Sequence, residues 1–214
     1  MVKVIIFDYD GVIVDSFPGV FEVYKVICRE FNVNCPTDIE EFRKLYGYNY
    51  FECLGNLGID VANLDKVQEI FRREIRKYSH GLFPGTDELI KKLSEKYDLY
   101  LVSASHEEEI ASKLENFDVS KYFKESYSSS GKGVSKSKLI KNIIDNNNLE
   151  LEEVISIGDR LIDYDVAKKV GLDDSNIIIT KYGWGFDNSE LKLKNIAHKP
   201  GDILDIINKQ NETK

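Results

Sequence analysis

Two aspartates directly follow the first apolar run of the chain. The run at residues 4–6 continues into Phe7, and Asp8 and Asp10 then stand two positions apart ahead of Gly11. Side chains two positions apart in a strand share a face, so we expect both carboxylates at the C-terminal end of a buried strand, where the glycine permits a sharp turn. Two neighbouring anions require a cation or a shared proton. The pair is therefore a candidate for metal binding and for nucleophilic or acid–base chemistry.

Polar residues also follow two later apolar runs, which we predict to be strands over residues 99–102 and 154–157. Because parallel sheets bind ligands beyond the carboxyl ends of their strands, we expect these polar groups at the same edge as the first aspartate pair. They are Ser103, Ala104 and Ser105 after the first run, and Gly158, Asp159 and Asp163 after the second.

A lysine-rich segment opens a further predicted helix, at about residues 139–148. Its sequence, Ser135-Lys136-Ser137-Lys138, places ammonium groups near a helix N-terminus, which itself favours anions. Together with four carboxylates and a serine hydroxyl, this segment supplies oxygen ligands suited to Mg2+ and donors for the oxygens of a phosphoryl group. The residues alone thus indicate metal-dependent phosphoryl chemistry.

Composition and charge restrict the partners of the protein. The 214 residues are 42% hydrophobic, with a formal net charge of -8 and a sequence pI of about 5.1. An acidic chain argues against nucleic acid or an anionic membrane surface as a general partner, because either would call for a basic face. No apolar stretch approaches the ~18 residues of a membrane helix. We expect a soluble protein that binds a small ligand, and the sequence does not distinguish a monomer from a homodimer.

The cysteines and the N-terminus favour the cytoplasm. Cys28, Cys35 and Cys53 are odd in number and fit neither a CxxC pair nor a disulfide framework, so we interpret them as reduced thiols. The chain enters its first strand directly after Met1, without the apolar and small-residue pattern of a signal peptide.

The periodicity of apolar residues divides the chain into two domains. Residues 17–80 show helical spacing, whereas short apolar strands alternate with amphipathic helices from residue 81 onward. We predict a doubly wound parallel α/β core from residues 1–16 and 81–214, interrupted by an all-helical domain at 17–80. Residues 126–137 are polar and are predicted to form a loop. Because the insertion leaves the core beside Asp8 and Asp10, it is expected to lie over the site as a cap.

The ordered motifs resemble the haloacid dehalogenase superfamily, in the branch of phosphoglycolate phosphatases and β-phosphoglucomutase. The resemblance runs from Phe7 to about Gly171, and Gly183-Trp184-Gly185 is similar to the phosphoglycolate phosphatases. It implies a Rossmann-like core with a helical cap. It also implies a Mg2+-dependent phosphatase that acts on a small phosphorylated metabolite through an aspartyl-phosphate.

The resemblance also implies a role for each motif residue. Asp8 would attack phosphorus, and Asp10 would protonate the leaving oxygen and later activate water. Ser103 and Lys136 would bind the phosphoryl oxygens. The complete sets implied are Asp8, Asp10, Asp159 and Asp163 for the metal, with Asp10 acting through its backbone carbonyl, and Gly11, Ser103, Ala104 and Lys136 around the substrate.

Several alternatives stay open at this stage. Lys138 is the reserve for Lys136, because the lysine-proline pair common in the family is absent and Lys132 also lies close by. A phosphosugar mutase of the β-phosphoglucomutase type is the second enzyme hypothesis, supported by Ser103-Ala104-Ser105. A non-catalytic binding module would be marked by loss of Asp8 or Asp10, and both are present. Residues 46–50 of the helical domain could read the leaving group, although packing between helices explains their tyrosines almost as well, and Arg43 and Lys44 are weaker candidates for binding a second anionic group of the substrate.

Overall fold

The computed structural model describes residues 1–130, 133–185 and 193–212. The chain forms two compact units, one made of Met1–Val14 and Leu82–Lys214 and the other of Asp15–Gly81. We refer to them as the α/β unit and the helical unit.

The strands and helices alternate along most of the described chain. In chain order the strands are β1 (Val4–Phe7), β2 (Val14–Asp15), β3 (Gly81–Leu82), β4 (Asp98–Ser103), β5 (Phe123–Ser128), β6 (Val154–Gly158), β7 (Ile177–Thr180) and β8 (Ile196–Ala197). The helices are α1 (Phe17–Glu30), α2 (Ile39–Tyr46), α3 (Tyr50–Asn56), α4 (Leu64–Ile75), α5 (Thr86–Ser94), α6 (Glu107–Asn116), α7 (Lys136–Asn146), α8 (Leu161–Val170) and α9 (Pro200–Glu212).

The α/β unit is built on a parallel sheet with the order β5-β4-β1-β6-β7-β8. The chain adds β4 and β5 on one side of β1 and then β6, β7 and β8 on the other, which is the doubly wound arrangement predicted from the sequence. Phe7 pairs in register with Leu101 on β4 and with Ile157 on β6. The C-terminal ends of β1, β4 and β6 therefore meet at one edge, and the polar residues that follow them are brought together.

Helices cover both faces of this sheet. Alternate residues of β1 point to opposite faces, so Ile5 packs with residues of α5, α6 and α9, whereas Ile6 packs with residues of α7 and α8. A strand that is buried on both faces reads as a continuous apolar run, which explains the unbroken run Val4–Phe7. The predicted fold class is confirmed.

Several elements differ from their predicted bounds. The segment 126–137 was predicted to be a loop, and this is wrong at both ends, since β5 extends to Ser128 and α7 begins at Lys136. Helix α7 ends at Asn146, two residues before its predicted end. Helix α8 is capped at its C-terminus by Gly171, which is left-handed with φ 106°. The strand β5, the short strand β8 and helix α9 had not been predicted.

The helical unit has an aromatic core of its own. Phe42 stacks on Phe17 and on Phe21, and Tyr46 contacts the ring of Phe42 edge to face. This packing accounts for Tyr46 within the helical unit. The role of the unit as a cap over the strand ends stays a prediction.

Among the described residues, no helix is both long and apolar enough to cross a membrane.

Candidate active site

Asp8 and Asp10 lie just beyond β1, in a tight turn. The backbone N–H of Asp8 still donates to the carbonyl of Ile157 (2.9 Å), whereas Gly11, with φ 79°, donates back to the carbonyl of Val14 (3.0 Å). Because the strand ends at Phe7, the alternation rule that placed the two carboxylates side by side does not apply to them. Asp8 joins a cluster of acids, and Oδ2 of Asp10 accepts from the hydroxyl of Ser105.

The acid cluster consists of Asp8, Asp159 and Asp163. One carboxylate oxygen of each lies within 4.8 Å of the others. Asp159 follows β6, and Asp163 lies in the first turn of α8, where its Oδ2 accepts from the N–H of Arg160 (3.2 Å). A Cβ on Gly158 would come within 2.2 Å of the Asp163 Cβ, so the close approach of strand end and helix requires glycine there.

Lys136 contacts two acids of the cluster. Its Nζ lies 2.9 Å from Oδ1 of Asp8 and 2.8 Å from Oδ1 of Asp163, and its side chain is 16% exposed. The side chain of Ser135 caps α7 by accepting from the N–H of Lys138, so Lys136 occupies the first helical position. Lys138 is exposed. Lys132 lies outside the described residues.

Asp159 is enclosed by two glycines from distant parts of the chain. A Cβ on Gly11 would lie 1.9 Å from its Oδ2, and a Cβ on Gly183 would lie 2.6 Å from the same atom. That oxygen accepts from the backbone N–H of Trp184 at 2.6 Å. The glycines therefore allow two backbone segments to close directly around one carboxylate. The Gly183-Trp184-Gly185 motif belongs to this enclosure.

Burial and nearby charges shift the pKa values of Asp8, Asp159 and Lys136. Burial is the main cause that raises the pKa of Asp8 to about 7; the Lys136 ammonium opposes this shift, and Asp163 adds to it. Burial, together with Asp163 and Asp8, raises the pKa of Asp159 well above its ordinary value. For Lys136, burial lowers the pKa, but the Asp163 and Asp8 carboxylates outweigh it and the net shift is upward. The ammonium is therefore fully charged at neutral pH.

The residues after β4 lie at the same edge of the sheet. Ser103 is 1% exposed, and its Oγ accepts from the N–H of Ser105 (3.0 Å), while Ala104 is exposed between them. The Oγ of Ser105 donates to Oδ2 of Asp10 at 2.6 Å. Sequence reasoning gave Ser105 no role, although its position two residues after Ser103 was a usable signal.

The acid cluster fits a divalent cation that prefers oxygen ligands. Oδ1 of Asp159 is fully buried and, among the described residues, has no hydrogen-bond partner. A buried carboxylate oxygen without a partner is costly unless a cation or a proton meets it. The three clustered carboxylates are also a suitable ligand set for Mg2+, a hard cation bound by carboxylate oxygens.

Comparisons with known proteins agree with this architecture. The chain matches the model of the haloacid dehalogenase-like hydrolases over residues 5–176. A 5'-nucleotidase of Pseudomonas aeruginosa is 26% identical over 203 residues, covering 92% of this chain and 88% of that protein. A phosphoglycolate phosphatase of Synechococcus elongatus is 22% identical over 213 residues, covering 96% and 97%. A solved haloacid dehalogenase-like hydrolase of Streptococcus pneumoniae superposes with a TM-score of 0.83 at 25% identity, covering 96% of this chain and 98% of that one.

Proposed function

The chain belongs to the family of haloacid dehalogenase-like hydrolases, and from this premise we propose that it is a Mg2+-dependent phosphatase of a small phosphorylated metabolite. The family and the hydrolase class predicted from the sequence are thereby confirmed. The metal, the covalent intermediate and the substrate are the proposed part.

One observation carries the proposal: Lys136 bridges Asp8 and Asp163, which cluster with Asp159, and the buried Oδ1 of Asp159 has no hydrogen-bond partner among the described residues. A carboxylate can attack an anionic phosphoryl group only if positive charge screens both partners. The lysine supplies one such charge. A second positive charge would meet Oδ1 of Asp159, which has no hydrogen-bond partner among the described residues. This supports Mg2+ as the cofactor.

Asp8 is the proposed nucleophile. Its Oδ1 accepts from the N–H of Tyr9 (2.7 Å) and contacts the Lys136 ammonium, so the plane of the carboxylate is fixed before substrate binds. Attack on phosphorus forms an aspartyl-phosphate and releases the alcohol of the substrate. Asp8, Asp159 and the Asp10 backbone carbonyl would hold Mg2+, supported by Asp163, and the bound ion would neutralise charge on the phosphoryl oxygens.

Asp10 is the proposed acid and base. Its carboxyl group would give a proton to the leaving oxygen in the first step and take one from water in the second. Ser103 and Ala104, at the end of β4, and Gly11 would surround the phosphoryl group, with Ser103 donating a hydrogen bond. The hydrogen bond from Ser105 to Oδ2 of Asp10 supports this division of labour, since it holds the Asp10 carboxyl group beside the end of β4, where Ser103 would bind the phosphoryl group.

The substrate class is proposed from the relatives and from the charge of the chain. A 5'-nucleotidase and a phosphoglycolate phosphatase both act on small phosphoesters, and the net charge of -8 argues against nucleic acid as a partner. We assign the choice among such compounds to the helical unit acting as a cap. The odd number of cysteines, without a disulfide framework, supports action in the cytoplasm.

The experiment is phosphate release from a panel of 2-phosphoglycolate, nucleoside 5'-monophosphates, sugar phosphates and pyrophosphate, with Mg2+ and with EDTA. We expect release that requires Mg2+, is abolished in Asp8→Asn and is unchanged in the control Asp145→Asn, whose side chain lies exposed on α7. Full activity of Asp8→Asn would exclude the proposed nucleophile. Interconversion of sugar 1- and 6-phosphates without release would favour the mutase, and no turnover of any compound would refute the phosphatase.

A further inference from the structure

Ser105 and Asp10 form a short hydrogen bond between two loops of the α/β unit. The Oγ of Ser105 donates to Oδ2 of Asp10 at 2.6 Å, although the two residues are 95 positions apart in the chain. This distance lies at the short end of the range for O–H···O hydrogen bonds in proteins.

The backbone of Ser105 is held from two further directions. Its N–H donates to Oγ of Ser103 (3.0 Å), and its carbonyl accepts from Oγ of Ser128 (2.6 Å). Ser103 and Ser128 are both buried, and they pair in register as the last residues of β4 and β5. Two strand ends therefore fix the position from which Ser105 presents its hydroxyl.

The pairing of β4 and β5 continues one residue beyond the strands, where the N–H of Ser129 donates to the carbonyl of Ser103 (2.9 Å). This bond ties the segment after β5 to the turn that carries Ser105. Ser128 and Ser129, which lie in the segment predicted to be a loop, therefore support this turn.

We propose that Ser105 is a positioning residue that orients the Asp10 carboxyl group for proton transfer to the leaving oxygen. The inference rests on the proposed function and adds a residue to it. A carboxyl group turns about its Cβ–Cγ bond, and a donor fixed at Oδ2 sets its plane. Because Oδ2 accepts the bond from Ser105, the acidic proton would be carried by Oδ1, the oxygen that would serve the leaving group. Orientation of a reacting group before the reaction is a substantial part of catalysis.

The test compares two leaving groups, because orientation of the acid matters only where the leaving oxygen needs a proton. 4-Nitrophenolate leaves as a stabilised anion, whereas an alcohol does not. The kcat/KM is measured for 4-nitrophenyl phosphate and for an alkyl phosphomonoester that the unmodified enzyme hydrolyses. The variants are Ser105→Ala, Ser105→Thr, which keeps the hydroxyl, and the control Ser130→Ala, whose Oγ contacts His106 instead of Asp10.

We expect Ser105→Ala to lower kcat/KM about 10- to 100-fold for the alkyl phosphate, which is a fraction of what a general acid supplies, and about twofold or less for 4-nitrophenyl phosphate. Ser105→Thr should recover most of the loss, and Ser130→Ala should match the unmodified enzyme with both substrates. An equal loss with both substrates, or no loss with either, would overturn the positioning role. Absence of any phosphatase activity in the unmodified protein would instead overturn the proposed function, and this inference with it.

Discussion

Replacement of Lys136 by methionine is the sharpest single test of the site. The ammonium group lies 2.9 Å from Asp8 and 2.8 Å from Asp163, and the two carboxylate side chains are only 12% and 8% exposed. Methionine keeps most of the apolar stem and removes the charge, so two nearly buried carboxylates lose their common partner. Removing one partner of a buried ion pair costs about 3–5 kcal/mol. Because Lys136 is itself 16% exposed, we expect the lower end, about 3 kcal/mol, in EDTA at neutral pH.

The loss of folding free energy in Lys136→Met should depend on pH and on Mg2+. The folded protein already holds the pKa of Asp8 at about 7, above its value in the unfolded chain, and removal of the ammonium raises the pKa further. A carboxyl group whose pKa is higher in the folded protein than in the unfolded chain stabilises the fold at pH values below its unfolded pKa. This stabilisation is lost as the pH rises through the folded pKa. The penalty of Lys136→Met should therefore shrink as the pH falls from 8 to 5. Mg2+ should also reduce it by supplying positive charge.

The assay is urea denaturation followed by the fluorescence of Trp184, which is the only tryptophan of the chain and binds Asp159 through its backbone. Lys138→Met is the matched control, because Lys138 is exposed on the same helical turn. We expect the free energy of unfolding of Lys138→Met to change by less than about 0.5 kcal/mol.

The kcat/KM for phosphate release should fall about a thousandfold in Lys136→Met and stay unchanged in Lys138→Met. An unchanged free energy of unfolding in Lys136→Met, or loss of activity in Lys138→Met alone, would refute the assignment of Lys136 as the active-site lysine.

Three further predictions concern the acids and the glycines around Asp159. Titration with Mg2+ should change the fluorescence of Trp184 in the unmodified protein but not in Asp159→Asn, and equal responses would exclude Asp159 as a ligand. Gly183→Ala should lower the free energy of unfolding by about 2 kcal/mol or more, because its Cβ would lie 2.6 Å from Oδ2 of Asp159. Gly201→Ala is the control, since a Cβ there would meet no heavy atom within 4 Å, and it should be nearly neutral in the same urea titration. In EDTA, the free energy of unfolding of the unmodified protein relative to that of Asp8→Asn should fall as pH rises from about 4 to about 7, since the pKa of Asp8 is raised in the folded state, and a difference that instead rises over this range would contradict the shift.

Much of the site followed from sequence because parallel strands in register align their ends. Once β1, β4 and β6 are adjacent, the residues after Phe7, Val102 and Ile157 must share an edge. This rule needs only the apolar runs and the alternation of strands with helices, both of which are visible in one sequence. The rule does not reach beyond the strand ends. The direction of the Asp10 side chain is set by the turn at Gly11 and by Ser105, so it could not be read from strand alternation.

The missed elements had weak local signals. Strand β5 contains Lys124 and Glu125 at exposed edge positions, so it lacks the apolar run that marks the central strands. Strand β8 is only two residues long. Helix α9 carried a usable signal, since Ile203 and Ile207 are four positions apart and both are fully buried.

The environment of Asp159 is the feature least accessible to sequence reasoning, because three distant segments create it. Three donors follow one another from the end of β7: the Thr180 hydroxyl donates to the Gly11 carbonyl (3.2 Å), the Tyr182 hydroxyl to the Val12 carbonyl (3.0 Å) and the backbone N–H of Trp184 to Oδ2 of Asp159 (2.6 Å). These bonds hold the turn after β1 against the residues after β7 with a buried carboxylate between them. Such an arrangement is unfavourable for stability, since it buries an acid whose Oδ1 has no partner in the described part of the chain. Its cost is understandable if the site is built for a bound cation, so the strength of metal binding should depend on the segment after β7 as much as on the aspartates themselves.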